Sequence, residues 1–277
     1  MIIGIIGFGM VGRAIHHGFA QICDFKIYDK DKKLSENTLK ETLVNSDFIF
    51  ICVPTPMKKE NGEIDLKSLD STLSYANKYI PREDKILIIK STIVPGTTDS
   101  YIKKYPNLNI IFNPEFLTAR TSKLDFINSS RVILGGDPKL TSRVADLYGK
   151  RFTHTPIYLT DARTAELVKY TANCFFATKV SFFNEIFDIC RKLDIRYEDV
   201  RDMTLADGRI GNSHTDVPGH DGLRGFGGLC FPKDLNSMIY KAEELGVDPK
   251  VMKAVWEKNI EVREKKDWEK IEGAVSD

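Results

Sequence analysis

Short, continuously apolar runs alternate along the first half of the chain with stretches whose apolar side chains recur every three or four positions. The runs predict strands at Ile2–Ile6, Phe25–Tyr28, Phe48–Val53, Ile86–Ile89, Ile110–Phe112 and Arg131–Leu134. Helical patterns lie between several of them, so the alternation predicts a parallel sheet wrapped by helices. IIGII and FIFICV are apolar throughout instead of alternating, as strands buried on both faces are. After about Tyr158 the texture changes. No Gly or Pro occurs from Thr160 to Leu193, and Leu167, Val168, Thr171, Phe175, Val180, Phe183 and Phe187 recur at helical spacing. With Thr160-Asp161 as N-cap, this predicts one helix of about 30 residues, a length that joins domains or builds an oligomer core. A short helix near Tyr197–Leu205 follows, then a Gly/Pro/His-rich loop from Asp207 to Gly228. Helices over Lys233–Leu245 and Pro249–Ile271 complete the pattern. The tail EKNIEVREKKDWEKIEG reads as a solvated helix face, with partner contact the alternative.

Composition narrows the function classes. The 277 residues suffice for two ordinary domains, and 42% hydrophobic with 29% charged residues is ordinary for a soluble globular chain. A formal net charge of +1 argues against nucleic acid or anionic membrane as partner. The longest apolar runs fall short of the roughly 20 residues that span a bilayer. MIIGIIGFGMVG lacks a basic flank and runs into a glycine motif, so it reads as a buried strand and not a signal peptide. The cysteines, Cys23, Cys52, Cys174, Cys190 and Cys230, are odd in number and scattered, without Cys-x-x-Cys or Cys/His clusters. No metal is expected, and free thiols suit a reducing cytoplasm.

Gly7-Phe8-Gly9-Met10-Val11-Gly12 matches G-x-G-x-x-G between a strand-like and a helix-like run, the context the motif requires. The first glycine permits the tight turn, the second lets backbone approach a pyrophosphate, and the third lets helix and strand pack closely. The helix N-terminus offers N–H groups to phosphates. Asp29 ends the next strand near the usual spacing for the acid that binds ribose hydroxyls, which favours NAD over NADP; Lys30, Lys32 and Lys33 weaken that preference. The fold class predicted is α/β, a Rossmann-type doubly wound parallel sheet that binds NAD over residues 1–158. A long connecting helix and a mainly α-helical dimerisation and substrate domain follow over residues 159–277.

Further segments carry candidate chemistry. Val53, Pro54 and Thr55 of CVPTP and Thr92 of KSTIVPGTT end strands, where ligands of open parallel sheets lie. For each, a plain structural loop or cap is the alternative. Glu115 of FNPEFL, flanked by Pro114, Phe116 and Leu117, is expected to have a raised pKa suited to a general base, or to be an exposed loop acid. Lys169 and Asn173 are four apart on the long helix and share a face, from which they could stabilise an oxyanion; an exposed polar stripe is the alternative. In GFGGLCFPKD, Gly227 and Gly228 leave backbone bare for a substrate. Pro232 in a first helical turn sets Cys230 at a helix N-terminus, which favours thiolate, Lys233 adds charge, and Asp234 can orient a donor. A packed small hydrophobe is the bland reading of Cys230.

Taken together, GFGMVG, CVPTP, KSTIVPGTT, NPEFL, ELVKYTANCFFATKVSFFNE, DGRIG and GFGGLCFPKD resemble the UDP-glucose/GDP-mannose dehydrogenase family, in its order and over nearly the whole chain. The resemblance implies NAD-dependent oxidation of carbon six of a nucleotide-linked sugar to a carboxylate, UDP-glucose by default, through a thiohemiacetal and a thioester on Cys230. GDP-mannose and UDP-N-acetylmannosamine are alternatives. It implies that Lys169 and Asp234 hold an oxyanion and a water, that Asn173 positions the sugar, and that Glu115 and Thr92 assist proton transfer. Glu115, Phe116, Leu117, Lys169, Asn173, Phe226, Gly227 and Cys230 would contact substrate, with Arg209 reaching the substrate of a neighbouring subunit in a homodimer. Gly7 to Gly12, Asp29, Val53, Pro54, Thr55, Thr92, Glu115 and Lys233 would contact NAD. A 3-hydroxyacid dehydrogenase shares the two-domain plan but has no use for Cys230. A cofactor-holding, dimerising module that needs a partner chain for the nucleotide is the alternative of another class.

Two departures stand out. The family continues into a third, nucleotide-gripping domain, where this chain stops near KDWEKIEGAVSD, so a short form is expected. Asp29 to Phe48 is shorter than the family shows, whereas RIGNSHTDVPGHDGLRGFGG is longer. It carries His214, Asp216, His220, Asp221 and Arg224, either to cover the sugar or phosphates in place of the missing domain or as a surface loop.

Overall fold

The computed structural model describes residues 1–80, 84–118 and 120–276; Asp277, the last residue of the expected second domain, lies outside them. The chain forms two compact units. One comprises Met1–Thr55 with Leu66–Lys169, the other Pro56–Asp65 with the chain from Tyr170 on.

In chain order the first unit runs β1 (Ile2–Ile6), α1 (Met10–Phe19), β2 (Asp24–Tyr28), α2 (Leu39–Val44) and β3 (Phe48–Ile51). The short β4 (Met57–Lys58) belongs to the second unit. The first resumes with α3 (Lys67–Tyr79), β5 (Ile86–Ile89), α4 (Thr97–Lys104), β6 (Ile110–Phe112), α5 (Ser122–Ile127), β7 (Val132–Gly135), α6 (Pro138–Arg151) and β8 (Ile157–Thr160). The sheet has the order β2-β1-β3-β5-β6-β7-β8. Its first five strands are parallel; β7 meets β6 antiparallel at Phe112↔Gly135, and β8 runs parallel to β7.

Two-faced burial explains the continuous apolarity. Ile49 and Ile51 of β3 and Leu87 and Ile89 of β5 enter one core; Phe48, Phe50, Ile86 and Ile88 enter the other. Side chains alternate between faces, so a strand covered by helices on both sides is apolar at every position. The strand order reverses between β2 and β3 around β1, the switch point beyond whose C-terminal ends such sheets bind ligands. Local chemistry starts the helices. Thr38 and Glu41 form a capping box on α2, and Asp137 accepts from the N–H groups of Lys139 and Leu140 ahead of Pro138.

Helix α7 (Ala162–Leu193) is unbroken for 32 residues, and Asp161 accepts from the Thr164 N–H at 2.9 Å as its cap. The second unit takes most of α7, then α8 (Tyr197–Leu205), α9 (Phe231–Glu244), α10 (Lys250–Val262), a 3-10 turn at Asp267–Glu269 and β9 (Val275–Ser276), which pairs parallel with β4. The final helix thus stops at Val262 and not near Ile271. Arg263 turns extended (φ −86°, ψ 106°), and the tail folds back to bury Trp268 and Ala274 against Met57. The tail is therefore part of a core, and no solvated helix face. Strand β8 is not among the predicted strands; its IYLT run is half-exposed.

Candidate active site

The glycine loop connects β1 to α1. Gly7 has φ +93°, which only glycine adopts without strain, and a methyl on Gly12 would overlap the Gly7 carbonyl. Above Gly9, by contrast, a methyl meets nothing within 4 Å, and no side chain caps the helix there. An open backbone cradle thus faces the positive end of a ten-residue helix, the arrangement that accepts a pyrophosphate. Asp29 Oδ2 accepts from the Phe8 N–H at 2.6 Å, so the carboxylate stands against the loop. Gly7, Phe8, Gly9, Met10, Val11, Gly12 and Asp29 therefore form one group that fits a dinucleotide.

Two strand-end loops are tied together beside it. Thr55 donates to the Thr92 carbonyl at 2.7 Å, and Ser91 donates to the Val53 carbonyl at 2.6 Å. The Thr55 hydroxyl is thus engaged within the protein. Thr92 does not cap a helix, because α4 begins five residues later. Farther along, Glu166 accepts from the N–H groups of Gly96 and Thr98 and from the Thr98 hydroxyl. Burial pushes its carboxyl up to about 7 against those hydrogen bonds.

Glu115 and Lys169 form a buried pair, Oε1 to Nζ 2.7 Å. Glu115 Oε2 accepts from the Leu117 N–H at 2.7 Å. Burial alone pushes the Glu115 carboxyl up, as expected from its neighbours. Lys169, the hydrogen bonds from Lys169 and Leu117, and Lys90 outweigh that burial and hold it below its ordinary value. The raised pKa expected for Glu115 is thereby corrected: this group is held ionised. The Phe116 ring lies under two cations, with Arg131 at 4.2 Å and Lys169 at 5.7 Å from its centroid.

Lys90 was not singled out by the sequence. The residue is 5% exposed, and its ammonium donates at 2.9 Å to both Asn113 Oδ1 and the Pro114 carbonyl; Tyr148 donates to the same Asn113 oxygen at 2.7 Å. Burial lowers it to about 8, against the opposing pull of Glu115. A lysine directly after the apolar run ILII was the available signal.

In the second unit Cys230 is the N-cap residue of α9, half-buried, with Pro232 in the first turn. Among the described residues no disulfide joins the cysteines. Asp234 is fully buried. Its Oδ1 accepts from Lys233 Nζ and its Oδ2 from Asn173 Nδ2, each at 2.5 Å. Asn173, Lys233 and Asp234 thus converge on the turn that Cys230 begins, and the Lys233 charge is directed at Asp234. Lys169 lies in the first unit and Asn173 in the second, four residues apart on the unbroken α7.

The two glycines before Cys230 differ from each other. A methyl on Gly227 would overlap the Asp267 carboxylate and the Arg263 guanidinium, so on that side its bare face admits protein side chains. Gly228 has open space and φ +75°. Phe226 is 4% exposed and packs on Phe231 and Trp256. Arg209 is 89% exposed and pairs with Asp207 on its own loop. That loop is pinned. Arg224 pairs with Asp188 at 2.7 Å, Asp221 with Arg263 at 2.8 Å and Asp216 with Arg201 at 2.6 Å, and His214 stacks on Phe176.

Residues 25–152 match the NAD binding domain of the UDP-glucose/GDP-mannose dehydrogenase family, and residues 163–261 match its central domain. The chain belongs to that family. Its N-terminal unit is an NAD binding domain, consistent with the cradle at Gly9. A UDP-glucose 6-dehydrogenase of Bacillus subtilis is 33% identical over 228 residues, 79% of this chain and 50% of that protein. The solved UDP-glucose dehydrogenase of Pyrobaculum islandicum superposes with a TM-score of 0.84 at 27% identity, covering 94% of this chain and 68% of that one. A 3-hydroxyisobutyrate dehydrogenase of Mycobacterium tuberculosis, at 15% identity and a TM-score of 0.73, shares the fold. The chain spans about half the length of the curated relatives it matches. Among the described residues, no helix is long and apolar enough to cross a membrane.

Proposed function

We propose that this chain is an NAD-dependent nucleotide-sugar 6-dehydrogenase that oxidises the primary alcohol of a UDP-sugar, UDP-glucose first, to the carboxylate. GDP-mannose and UDP-N-acetylmannosamine are the alternative substrates. The observation that carries the reading is Cys230 at the N-cap of α9, with Asp234 and Asn173 hydrogen-bonded in the turn it begins. A one-step alcohol dehydrogenase has no use for that thiol.

The overall change is R–CH2OH + H2O + 2 NAD⁺ to R–COO⁻ + 2 NADH + 3 H⁺. NAD, when bound at the glycine loop, supplies the hydride acceptor for both oxidations. At the aldehyde stage the Cys230 thiolate adds to carbon six, forming the C–S bond of a thiohemiacetal. Loss of the second hydride leaves a thioester, and covalent attachment divides a difficult oxidation into easier steps. Water then cleaves the C–S bond and returns the thiolate. In this reading Asp234, oriented by Asn173 and Lys233, positions that water, and Lys169 stabilises negative charge on the sugar oxygen. Glu115, ionised beside Lys169, accepts a proton, with the Thr92 hydroxyl assisting. Asp29 favours NAD over NADP.

We also propose a homodimer. Phe175, Phe182 and Ile189, seven residues apart on α7, are 62%, 55% and 51% exposed, and a second copy would cover them. Arg209 would then reach the partner's substrate. The cytoplasm is the expected compartment for an enzyme that depends on a reduced thiol.

The test mixes the purified chain with NAD and a panel of UDP- and GDP-sugars, following NADH absorbance and product mass. Two NADH per sugar acid, abolished in Cys230→Ala, is the expected outcome. NAD binding without turnover on any sugar would favour a second reading. In that reading the chain is a cofactor-holding module that needs a further chain or domain for the nucleotide.

A further inference from the structure

Three side chains spaced four residues apart, Asn259, Arg263 and Asp267, meet the backbone of the strap that leads into Cys230. Asn259, fully buried, accepts from the Phe226 N–H at 2.7 Å and donates to the Phe226 carbonyl at 3.0 Å. Asp267 Oδ2 accepts from the Gly228 N–H at 2.8 Å. Its Oδ1 accepts from Arg263 Nη2 at 2.9 Å. Arg263, 4% exposed, also pairs with Asp221 at 2.8 Å. It donates to the carbonyls of Lys265 and Arg224 as well.

The glycines of the strap are explained by this contact. A methyl at Gly225 would overlap Asn259 Oδ1, and one at Gly227 would overlap Asp267 and Arg263. Gly225 and Gly228 are left-handed, at φ +66° and +75°. A left-handed glycine strap is costly to order because its unfolded states are many. The hydrogen bonds to buried Asn259 and the charge-assisted one to Asp267 offset that cost. They hold the strap two residues before the thiol.

We propose that Asn259, Arg263 and Asp267 are positioning residues that keep Cys230 at the N-terminus of α9 by fixing the Gly225–Gly228 backbone. This rests on the reading of Cys230 as the nucleophile. Because the clamp comes from the end of α10 and the segment that follows it, the reactivity of Cys230 depends on a stretch of chain that carries no catalytic group.

The test compares the wild-type chain with Asp267→Ala, Asp267→Asn and Gly227→Ala. Amide hydrogen exchange is read at Gly228, and alkylation by iodoacetamide is read peptide by peptide at Cys230 and, as control, at Cys23. A helix N-terminus favours the thiolate, which is the form alkylated. In Asp267→Ala the Gly228 amide is expected to exchange at least tenfold faster and Cys230 to alkylate about tenfold more slowly. Alkylation of Cys23 stays unchanged. Asp267→Asn, which keeps an acceptor for Gly228, stays near wild type. Gly227→Ala reproduces the alanine result from the opposite side of the contact, should Asp267→Ala fold poorly. Unchanged Gly228 exchange, or faster exchange with unchanged Cys230 alkylation, overturns the positioning role. If wild-type Cys230 alkylates no faster than Cys23 while Gly228 still responds to Asp267→Ala, the nucleophile reading falls, and the positioning role falls with it, although the backbone contact stands.

Discussion

Lys169 and Glu115 face each other at 2.7 Å with side chains 3% and 6% exposed, and the Lys90 ammonium lowers the same carboxyl. Two buried cations therefore share one buried anion. Replacing Glu115 by Gln removes the charge that offsets both, and breaking a buried pair costs about 3–5 kcal/mol. Glu115→Gln should lose stability of that order by urea denaturation. The double variant Glu115→Leu with Lys169→Met should recover most of it. A single variant within about 0.5 kcal/mol of wild type, the range of an ordinary surface substitution, would show that the pair carries no such burden.

Lys90 makes stability depend on pH in a stated direction. Its folded value, about 8, lies below that of the unfolded chain. The unfolded state binds the proton more tightly, so the contribution is fully present above the unfolded value, roughly 10.4, and is lost as pH falls through 8. Unfolding free energy should thus rise between pH 8 and the upper limit of native structure. In Lys90→Met that rise should shrink, as read by denaturant titration at about pH 7 and about pH 9.5. Parallel pH profiles for the two proteins would contradict the prediction.

The glycine loop predicts a binding defect with a mechanical cause. A methyl on Gly12 has no room beneath the Gly7 carbonyl, so Gly12→Ala must push α1 away from β1. Overpacking of this kind typically costs about 1–3 kcal/mol. NAD affinity should fall at least tenfold by calorimetric titration. The alkylation rate of Cys230, which lies in the other unit, should be unchanged.

The exposed stripe on α7 predicts an oligomer that charge will break. Phe182→Asp places a carboxylate in the proposed dimer contact, and light scattering should then report a halved mass. Equal masses for wild type and variant, both those of a single chain, would rule out the dimer.

Much of the first unit was legible because its strands are covered on both faces. β1, β5 and β6 have the bounds their apolar runs predict, and the absence of Gly and Pro marks α7 almost to the residue. Signals of local origin also marked residues that the structure brings into contact: the glycine loop with Asp29, and Asp234 with Asn173. What escaped depends on distant partners. Lys90 is meaningful only beside Asn113 and Pro114. The carboxyl of Glu115 moves down instead of up because Lys169 arrives from another element. Gly227 is bare for Asp267, which no local pattern connects to it. The helix end at Val262 has no breaker residue; burial of Trp268 decides it.

The pairing of β4 with β9 joins Met57 to Val275, so the second unit encloses a short piece of chain that leaves the first unit after Thr55 and returns at Leu66. The two units are interleaved in sequence. A single cut within α7 would leave that piece, with Met57 and its place against Trp268, on the wrong fragment. Separating the units would require a circular permutant or an excised and transplanted loop. In biosynthesis, the cluster of Met57, Trp268 and Ala274 closes only when residues far apart in sequence meet, a contact expected to form late.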